Sequence, residues 1–578
     1  MNVFSKVHPI LSGKDRTKFN MIILLNFVIF FLEFISLASI PLFVSIIIDP
    51  SLLLNKINEF FTIDIIPKFS NKILISIGAI FVISTFLFKN SFLIFHTYLQ
   101  GKFFKNLKID IATKLFTYYT NSPYLFHLTK NPSELSRNVS SEIQNAYGYM
   151  FHLIAFTRES LTILVIFSLL LIVNPLITFF TSIFFCMLII IYLKKVKPLI
   201  RKRAIQNQDL QKSITQTVYE TFGAIKDLKI LSKENEIREH FKNKIDNLED
   251  NTYFFSFYEK YPRIFLELIS IITIILASLI YLSLNPNFIN IIPILTLLVI
   301  SFVRFIPAFG AITLSITYMK NFEPSIELIN KEISKIGSST INSTEIKNKV
   351  NKNLKFTNKK DFLLLDNISF SYPDSEIFPI KNINLSIDEN SKVGITGKTG
   401  AGKSTLFHLM LGLLTPKSGN IFYKGQNIFN NLEKWRKEIG YISQNVYLLD
   451  STIKKNIAFN FLDEPVDEKK IIKAIEIADL KEKISYLPNG VNTKVGTDGL
   501  KLSGGERQRI ALARAVYREP NIFFMDESTS ALDSKTEETI IQNIKNNFKH
   551  KTMIMIAHRQ STIKSCDKIL NLKDGKIS

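Results

Sequence analysis

The sequence predicts two unlike halves: an α-helical transmembrane domain of six spans, then an α/β domain organised around a phosphate-binding loop. Three observations carry this. Long apolar runs fill the chain until about Met319 and are absent afterwards. Beyond Asp361, short β-like runs alternate with helical stretches, the pattern of an α/β domain. Between a strand and a helix in that region lies a glycine-rich turn, Gly397–Ser404.

Composition narrows the class. At 578 residues the chain is long enough for more than one domain. A 47% hydrophobic content with 49 Phe excludes a disordered or nucleic-acid-binding tail protein. The net charge is +21, and residues 1–360 hold 40 Lys+Arg against 24 Asp+Glu, while residues 361–578 hold 31 against 26. The excess lies with the apolar runs, which points to a membrane surface and not to nucleic acid. Cys186 and Cys566 are too few and too far apart for a disulfide framework or a metal site. Met1–Asn20 is basic and polar, and no cleavable signal peptide is expected.

A spanning helix needs about 20 mostly apolar residues. Residues 7–20 are expected to form a short helix at the cytoplasmic interface. Met21–Ile48 is the first span, interrupted only by Glu33. Ser51–Thr62 places Leu53, Ile57, Phe60 and Phe61 on one face, which reads as an amphipathic helix on the outer side or as an ordinary packed loop. Lys72–Leu99 is the second span, with Lys89 inside. Leu161–Leu193 has no charge and is too long for one span, so a turn at Asn174-Pro175 divides two helices, the first starting near Ala146. Leu268–Val303 repeats the design around Asn285-Pro286-Asn287, and its second helix continues to about Tyr318. The connections at 100–146 and 194–262 hold six and fourteen Lys+Arg, against none at 173–176 or 284–289. The two long basic loops are therefore assigned to the cytoplasm. The expected domains are 1–330, a polar linker at 331–360, and 361–578.

In the second half, Ile383–Ile387, Val393–Thr396, Ile522–Met525 and Met553–Ile556 are candidate strands; the first alternates and the others are nearly all apolar. Val393–Thr396 leads into Gly397-Lys398-Thr399-Gly400-Ala401-Gly402-Lys403-Ser404, followed by Thr405. Such glycines let backbone N–H groups turn toward phosphate oxygens. Lys403 would reach the outer phosphates, and Ser404 would ligate Mg²⁺. Ile522–Met525 ends in Asp526-Glu527: an aspartate suited to Mg²⁺ and a glutamate suited to polarising an attacking water. Between them, Ser503-Gly504-Gly505 opens a helix as a second phosphate cradle. One nucleotide does not need two, so the second is expected to serve a nucleotide on another copy of the domain.

Together these motifs resemble the ATP-binding-cassette (ABC) family over 361–578. The resemblance implies further roles: Tyr372 stacking on adenine, Gln444 sensing Mg²⁺ and coupling to the membrane domain, Asp533 in a loop crossing the dimer, and His558 as a switch near the γ-phosphate. A lone histidine is more often structural, but His558 follows the strand Met553–Ile556, as in the family. Thr493-Lys494-Val495-Gly496 resembles an exporter-type segment. The first half resembles exporter-type ABC half-transporters, with Asn131–Leu135 and Gly223–Lys229 similar to the helical elbows that press on ATPase domains. With one ATPase half and six spans, a homodimer is implied, with a heterodimer as the alternative. ATP and Mg²⁺ are the implied cofactors.

Across nearly the whole chain the sequence is similar to bacterial flippases of lipid-linked oligosaccharides, the PglK family. The motifs are the outer helix, Tyr261-Pro262-Arg263-Ile264 and Arg304-Phe305-Ile306-Pro307. The resemblance implies that cationic residues in the spans meet a polyprenyl pyrophosphate. Arg263 and Arg304 match; Lys89 departs, because an ammonium cannot make the bidentate fork of a guanidinium. The competing expectation is that these cations pair with Glu33, Glu159 or Glu267, or lie on cytoplasmic helix extensions. The expected setting is the bacterial inner membrane, with the ATPase domain in the cytoplasm. Export of lipid A, peptides or drugs is the alternative within the class. A soluble ABC ATPase acting on DNA or ribosomes is the alternative outside it, and the six spans count against that.

Overall fold

An apolar segment in lipid must close its backbone hydrogen bonds within itself, and a helix does so. The computed structural model describes residues 3–48, 70–173, 197–284, 291–348, 361–496, 502–526, 546–556 and 566–577, with single positions omitted within them and a few more described elsewhere. They divide into two units, Met1–Asn121 with Asn131–Thr340, and Ser122–Lys130 with Ile341–Ser578.

The chain runs through α1 (Val3–Val7), α2 (Gly13–Ile48), α3 (Asn71–Asn121), α4 (Tyr124–Thr129), α5 (Pro132–Val139), α6 (Ser141–Val173), α7 (Lys197–Gly223), α8 (Ile225–Ile230), α9 (Glu234–Leu284) and α10 (Ile291–Asn348). Four described helical stretches are long and apolar enough to cross a membrane: 13–48, 71–121, 132–172 and 295–336. A shorter apolar stretch, Leu266–Leu276, lies in α9. The expected span ending at Leu193 and the outer helix Ser51–Thr62 lie outside the described residues.

Two expectations about the helices change. Gly13–Asn20 is not part of a separate interfacial helix; it forms the first turns of α2, while α1 ends at Val7. The intervening turn is held by burial of Val7, Ile10 and Leu11. Residues 331–348 of the expected linker continue α10. At the start of that extension, buried Glu332 accepts from Tyr119 Oη of α3 at 3.0 Å. Inside the unit, polar groups tie helices where the hydrophobic effect gives no preference between lipid and protein. Fully buried Asn26 donates to the Ile154 carbonyl (3.3 Å) and to Thr157 Oγ1 (3.0 Å), joining α2 to α6.

The second unit holds β1 (Asp361–Phe370), β2 (Ile380–Asp388), β3 (Lys392–Thr396), α11 (Lys403–Met410), β4 (Ser418–Tyr423), β5 (Gln426–Asn427), α12 (Leu432–Lys437), β6 (Ile439–Ile442), α13 (Ile453–Ala458), α14 (Glu468–Ile477), α15 (Lys481–Ser485), α16 (Gly504–Tyr517), β7 (Ile522–Asp526), β8 (Thr552–Ile556), β9 (Lys568–Lys573) and β10 (Lys576–Ile577). Two sheets form, β2-β1-β4-β5, which is antiparallel, and β10-β9-β3-β8-β7-β6. In the latter, β9-β3-β8-β7-β6 pair in parallel. Every residue of β7 and β8 is buried, as strands covered on both faces must be. β2 alternates because only one of its faces meets the core. Phe407, Trp435 and Phe524 lie in one core cluster with residues of both sheets. All four expected strands are present, each extended by one to four residues.

Candidate functional site: a glycine-lined phosphate cradle and a buried charge set

The loop between β3 and α11 takes its shape from glycine. Gly402 has φ 100° at the N-terminus of α11, and a Cβ there would stand 2.4 Å from the Pro379 carbonyl oxygen. Gly397 has φ 150°, and a Cβ would stand 2.3 Å from the Leu572 carbonyl oxygen. No side chain fits at either point without backbone movement. Gly400 faces open space, and Lys398, Thr399 and Gly400 are exposed, so the loop offers its backbone outward. The buried Lys403 folds over it, donating from Nζ to the carbonyls of Gly397 (2.7 Å) and Lys398 (3.1 Å). Ala401 N–H closes the turn onto the Lys398 carbonyl at 3.1 Å. Ser404 is exposed on the first turn of α11, and Thr405 is buried, with its hydroxyl 3.2 Å from Tyr372 Oη. Tyr372 packs edge-on against Phe370, which fixes its ring beside the loop's helix. A backbone cradle with one ammonium at a helix N-terminus fits a polyphosphate.

Topology collects other motif residues at the same edge of the sheet. β3, β8, β7 and β6 run parallel, so their C-terminal ends share one side. The phosphate loop follows β3, Asp526 ends β7, and Gln444 lies just beyond β6, exposed. Asp526 is 9% exposed. Glu527, Asp533 and His558 lie outside the described residues, although His558 follows the end of β8 by two positions.

Ser503 caps α16. Its Oγ accepts from the Glu506 amide (3.2 Å), and its own amide donates to Glu506 Oε2 (2.9 Å), a reciprocal capping box. Burial works against the Glu506 charge, yet Lys483 at 2.9 Å and the Ser503 amide outweigh it and hold the carboxyl below its usual range. Gly504 and Gly505 follow within the first turn.

The sequence did not single out the residues that pin the segment after Gln444. Fully buried Asn456 accepts from the Leu449 amide (2.8 Å) and donates to the carbonyls of Leu449 (3.0 Å) and Thr452 (3.1 Å). Arg514 on α16 donates to the carbonyls of Asn456 (2.9 Å) and Tyr447 (3.2 Å) and lies over the Phe459 ring. Burial lowers its pKa to about 10. The signal available in the sequence was a polar residue between Ile453 and Ile457, on the apolar face of a short helix.

A short helix ahead of the first expected elbow groups with the second unit. Asn131–Leu135 begins α5, an Asn-capped polar helix belonging to the N-terminal unit. The preceding helix, α4, groups with the C-terminal unit, where Tyr124 and Leu125 pack on the core and the Tyr124 ring meets His408 at 5.4 Å. Just before it, Tyr119 Oη donates to Glu332 Oε2 (3.0 Å) and accepts from Asn138 Nδ2 (3.1 Å), and all three residues are buried.

In the membrane unit, Lys89 and Arg304 meet one carboxylate. Glu33 Oε2 is 3.3 Å from Lys89 Nζ, and Glu33 Oε1 is 3.1 Å from Arg304 Nε. Of the three acidic partners that the sequence offered, Glu33 is the one that Lys89 and Arg304 engage among the described residues. Glu159 pairs with its neighbour Arg158 at 2.9 Å. Arg263 lies on α9, and its side chain is outside the described residues.

Comparison with known proteins follows the same division. Residues 21–305 match the model of the ABC transporter transmembrane region, and residues 380–530 match that of the ABC transporter family. The human mitochondrial iron-sulfur clusters transporter ABCB7 is 38% identical over 237 residues, 41% of this chain and 31% of that protein. The ATP-dependent lipid A-core flippase of Shewanella oneidensis is 39% identical over 220 residues, 38% of this chain and 36% of that protein. These matches span about a third of the length of the curated relatives. A solved bacterial Atm1-family ABC exporter with ATP bound shares the fold, with TM-score 0.69 and 19% identity, covering 97% of this chain and 94% of that one. With matches to two ABC transporter models, in this order and over about three quarters of its length, the chain belongs to the ABC transporters, with a helical transmembrane region followed by an ATP-binding domain.

Proposed function

We propose that the chain pairs with a second copy and uses ATP to flip a lipid-linked oligosaccharide, a polyprenyl-pyrophosphate glycan, across the bacterial inner membrane. The observation that carries the cargo reading is the pair of cations, Lys89 and Arg304, inside spanning helices with a single carboxylate between them. Charge at membrane depth costs roughly 2.5–3.5 kcal/mol per residue on insertion scales, so it is retained where it meets something charged. An anionic lipid headgroup supplies that charge; a neutral drug does not. Lipid A, also an anionic glycolipid, is the second reading, and the relative named for its flipping favours it.

At the nucleotide site, the loop amides of 397–403 bind phosphate oxygens, and Lys403 leaves its carbonyl partners to meet the outer phosphates. Tyr372 stacks on the adenine. Ser404, Asp526 and Gln444 would hold Mg²⁺, which neutralises phosphate charge when bound. Glu527 takes a proton from the attacking water, and His558 orients the γ-phosphate. Ser503, Gly504 and Gly505 with Asp533 close the site from the second copy.

Reconstitution into liposomes with ATP and a fluorescent polyprenyl-pyrophosphate glycan tests this. Flipping by the intact protein is expected. Arg263→Ala and Arg304→Ala should lose flipping far more than ATP hydrolysis, with Lys89→Ala weaker and Lys89→Arg tolerated. Parallel loss of both activities would make the cations structural, and unchanged flipping would remove the anionic-headgroup mechanism.

A further inference from the structure

Glu33 on α2, Lys89 on α3 and Arg304 on α10 draw three helices to one point. Their side chains are 8%, 2% and 42% exposed, so the set is closed except through Arg304. Each Glu33 oxygen takes one cation. Among the described residues, Glu33 is the one carboxylate within ion-pair distance of either. Lys89 Nζ is buried without a hydrogen bond there, and its other neighbour is the Phe86 ring, 4.8 Å to the centroid. The three side chains together carry one positive charge in excess, a costly state away from water.

We propose that Glu33 is a resident counter-ion that the anionic headgroup of the cargo must displace, and that it thereby sets how tightly the cargo is held. The inference rests on the cargo reading above. The carboxylate lies against Lys89 Nζ and Arg304 Nε, where it neutralises the charge on both cations that a phosphoryl group would seek. Two oxygens of one carboxylate bridging two cations is the arrangement that two phosphoryl oxygens would reproduce. An incoming anion therefore competes with Glu33 and does not enter an empty site. Competition lowers cargo affinity, and on departure the carboxylate returns to the cations, so neither is left unpaired. A transporter needs this, because a headgroup held by two uncontested cations, Lys89 of them buried, would be slow to leave. Glu33 acts through Lys89 and Arg304 and is a positioning residue.

The experiment titrates the fluorescent polyprenyl-pyrophosphate glycan in liposomes holding the full-length protein, reading half-saturation and maximal flipping rate separately. In Glu33→Gln the amide cannot neutralise either cation, and half-saturation is expected to fall about tenfold while the maximal rate stays level or falls. Glu33→Asp keeps the charge but is too short to span both cations, so half-saturation should fall less, by roughly threefold. A merely structural ion pair predicts the opposite, weaker cargo binding in both variants. If Glu33→Gln does not fold, Glu33→Asp decides alone. Half-saturation unchanged or raised in the folded variant overturns the inference and leaves the cargo reading intact. If the wild type flips lipid A and not the glycan, the cargo reading fails. The same titration with lipid A then decides Glu33. A wild type that flips neither overturns both.

Discussion

Asn456→Ala should destabilise the ATP-binding unit far more than its position, remote from any proposed nucleotide contact, suggests. The side chain is fully buried and holds Leu449 and Thr452 by three hydrogen bonds. They are not equally exposed to loss. The Leu449 carbonyl keeps a second donor in the Ser451 amide (2.7 Å), and the Thr452 carbonyl keeps the Asn456 amide (3.0 Å). The Leu449 amide is left with no replacement among these contacts. One stranded buried amide costs about 1–3 kcal/mol. With the small void left by the missing amide group, a total of about 2–3 kcal/mol follows. For a unit of this size that is a fall of roughly 4–12 °C in Tm. The chain's single tryptophan, Trp435, is buried in this unit with Nε1 donating to the Met410 carbonyl at 3.0 Å. Its fluorescence therefore reports unfolding of the ATP-binding unit without a contribution from the membrane helices. Asn445→Ala, at an exposed neighbour, is the control and should leave the transition unchanged. A shift below about 1 °C in Asn456→Ala would refute the claim that this amide pins the segment.

The other predictions concern turnover and coupling. Glu527→Gln should abolish ATP hydrolysis while ATP binding persists, because an amide cannot take a proton from water and the phosphate loop is untouched; near-normal hydrolysis would remove Glu527 from that role. Mixing a Lys403→Ala chain with a Ser503→Arg chain should recover partial ATPase activity, since the mixed dimer keeps one intact composite site; no recovery in proven mixed dimers counts against sites shared between chains. Tyr119→Phe strips Asn138 and Glu332 of a buried partner and should cost about 1–3 kcal/mol. Since Tyr119 lies just ahead of α4, we expect flipping per ATP hydrolysed to fall. A normal ratio in the folded variant would limit Tyr119 to a stabilising role.

What the sequence revealed, and what it hid, follows the range of the interactions. The phosphate loop was legible because its chemistry is local: the glycines, Lys403 and Ser404 lie within eight consecutive residues. β7 and β8 were legible because burial on both faces leaves uninterrupted apolar runs. β1 and β4 were not, since an antiparallel strand with mixed faces has a weaker pattern; β1 carries Asp366, Asn367 and Ser369 among its apolar residues. Asn456 and Arg514 act across 58 positions, and nothing in either local segment names the other. The helix α4 was missed beside Asn131-Pro132, which is a strong local start signal, because α4 is recognised only by what Tyr124 and Leu125 touch. Charges inside the spans stood out at once, yet Glu33's service to both Lys89 and Arg304 required the packing of three helices.

The two units place their least favourable local choices where an anion is expected. In the ATP-binding unit the cost is conformational: glycines held at φ 100° and 150°, with a lysine folded onto its own loop's carbonyls. In the membrane unit it is electrostatic: two cations and one carboxylate in helices otherwise chosen for apolarity. Neither choice improves packing, and each would be removed by selection for stability alone. Each also comes with an internal stand-in for its proposed ligand. Backbone carbonyls occupy Lys403 as a phosphate would, and Glu33 occupies Lys89 and Arg304 as a headgroup would. The stand-ins differ in strength. Two neutral carbonyls yield readily to a polyphosphate, whereas a carboxylate in a dry site yields only to an anion that binds the same two cations at least as well. Nucleotide entry should therefore be easy and cargo entry selective, and removing the stronger stand-in should alter cargo affinity without altering nucleotide affinity.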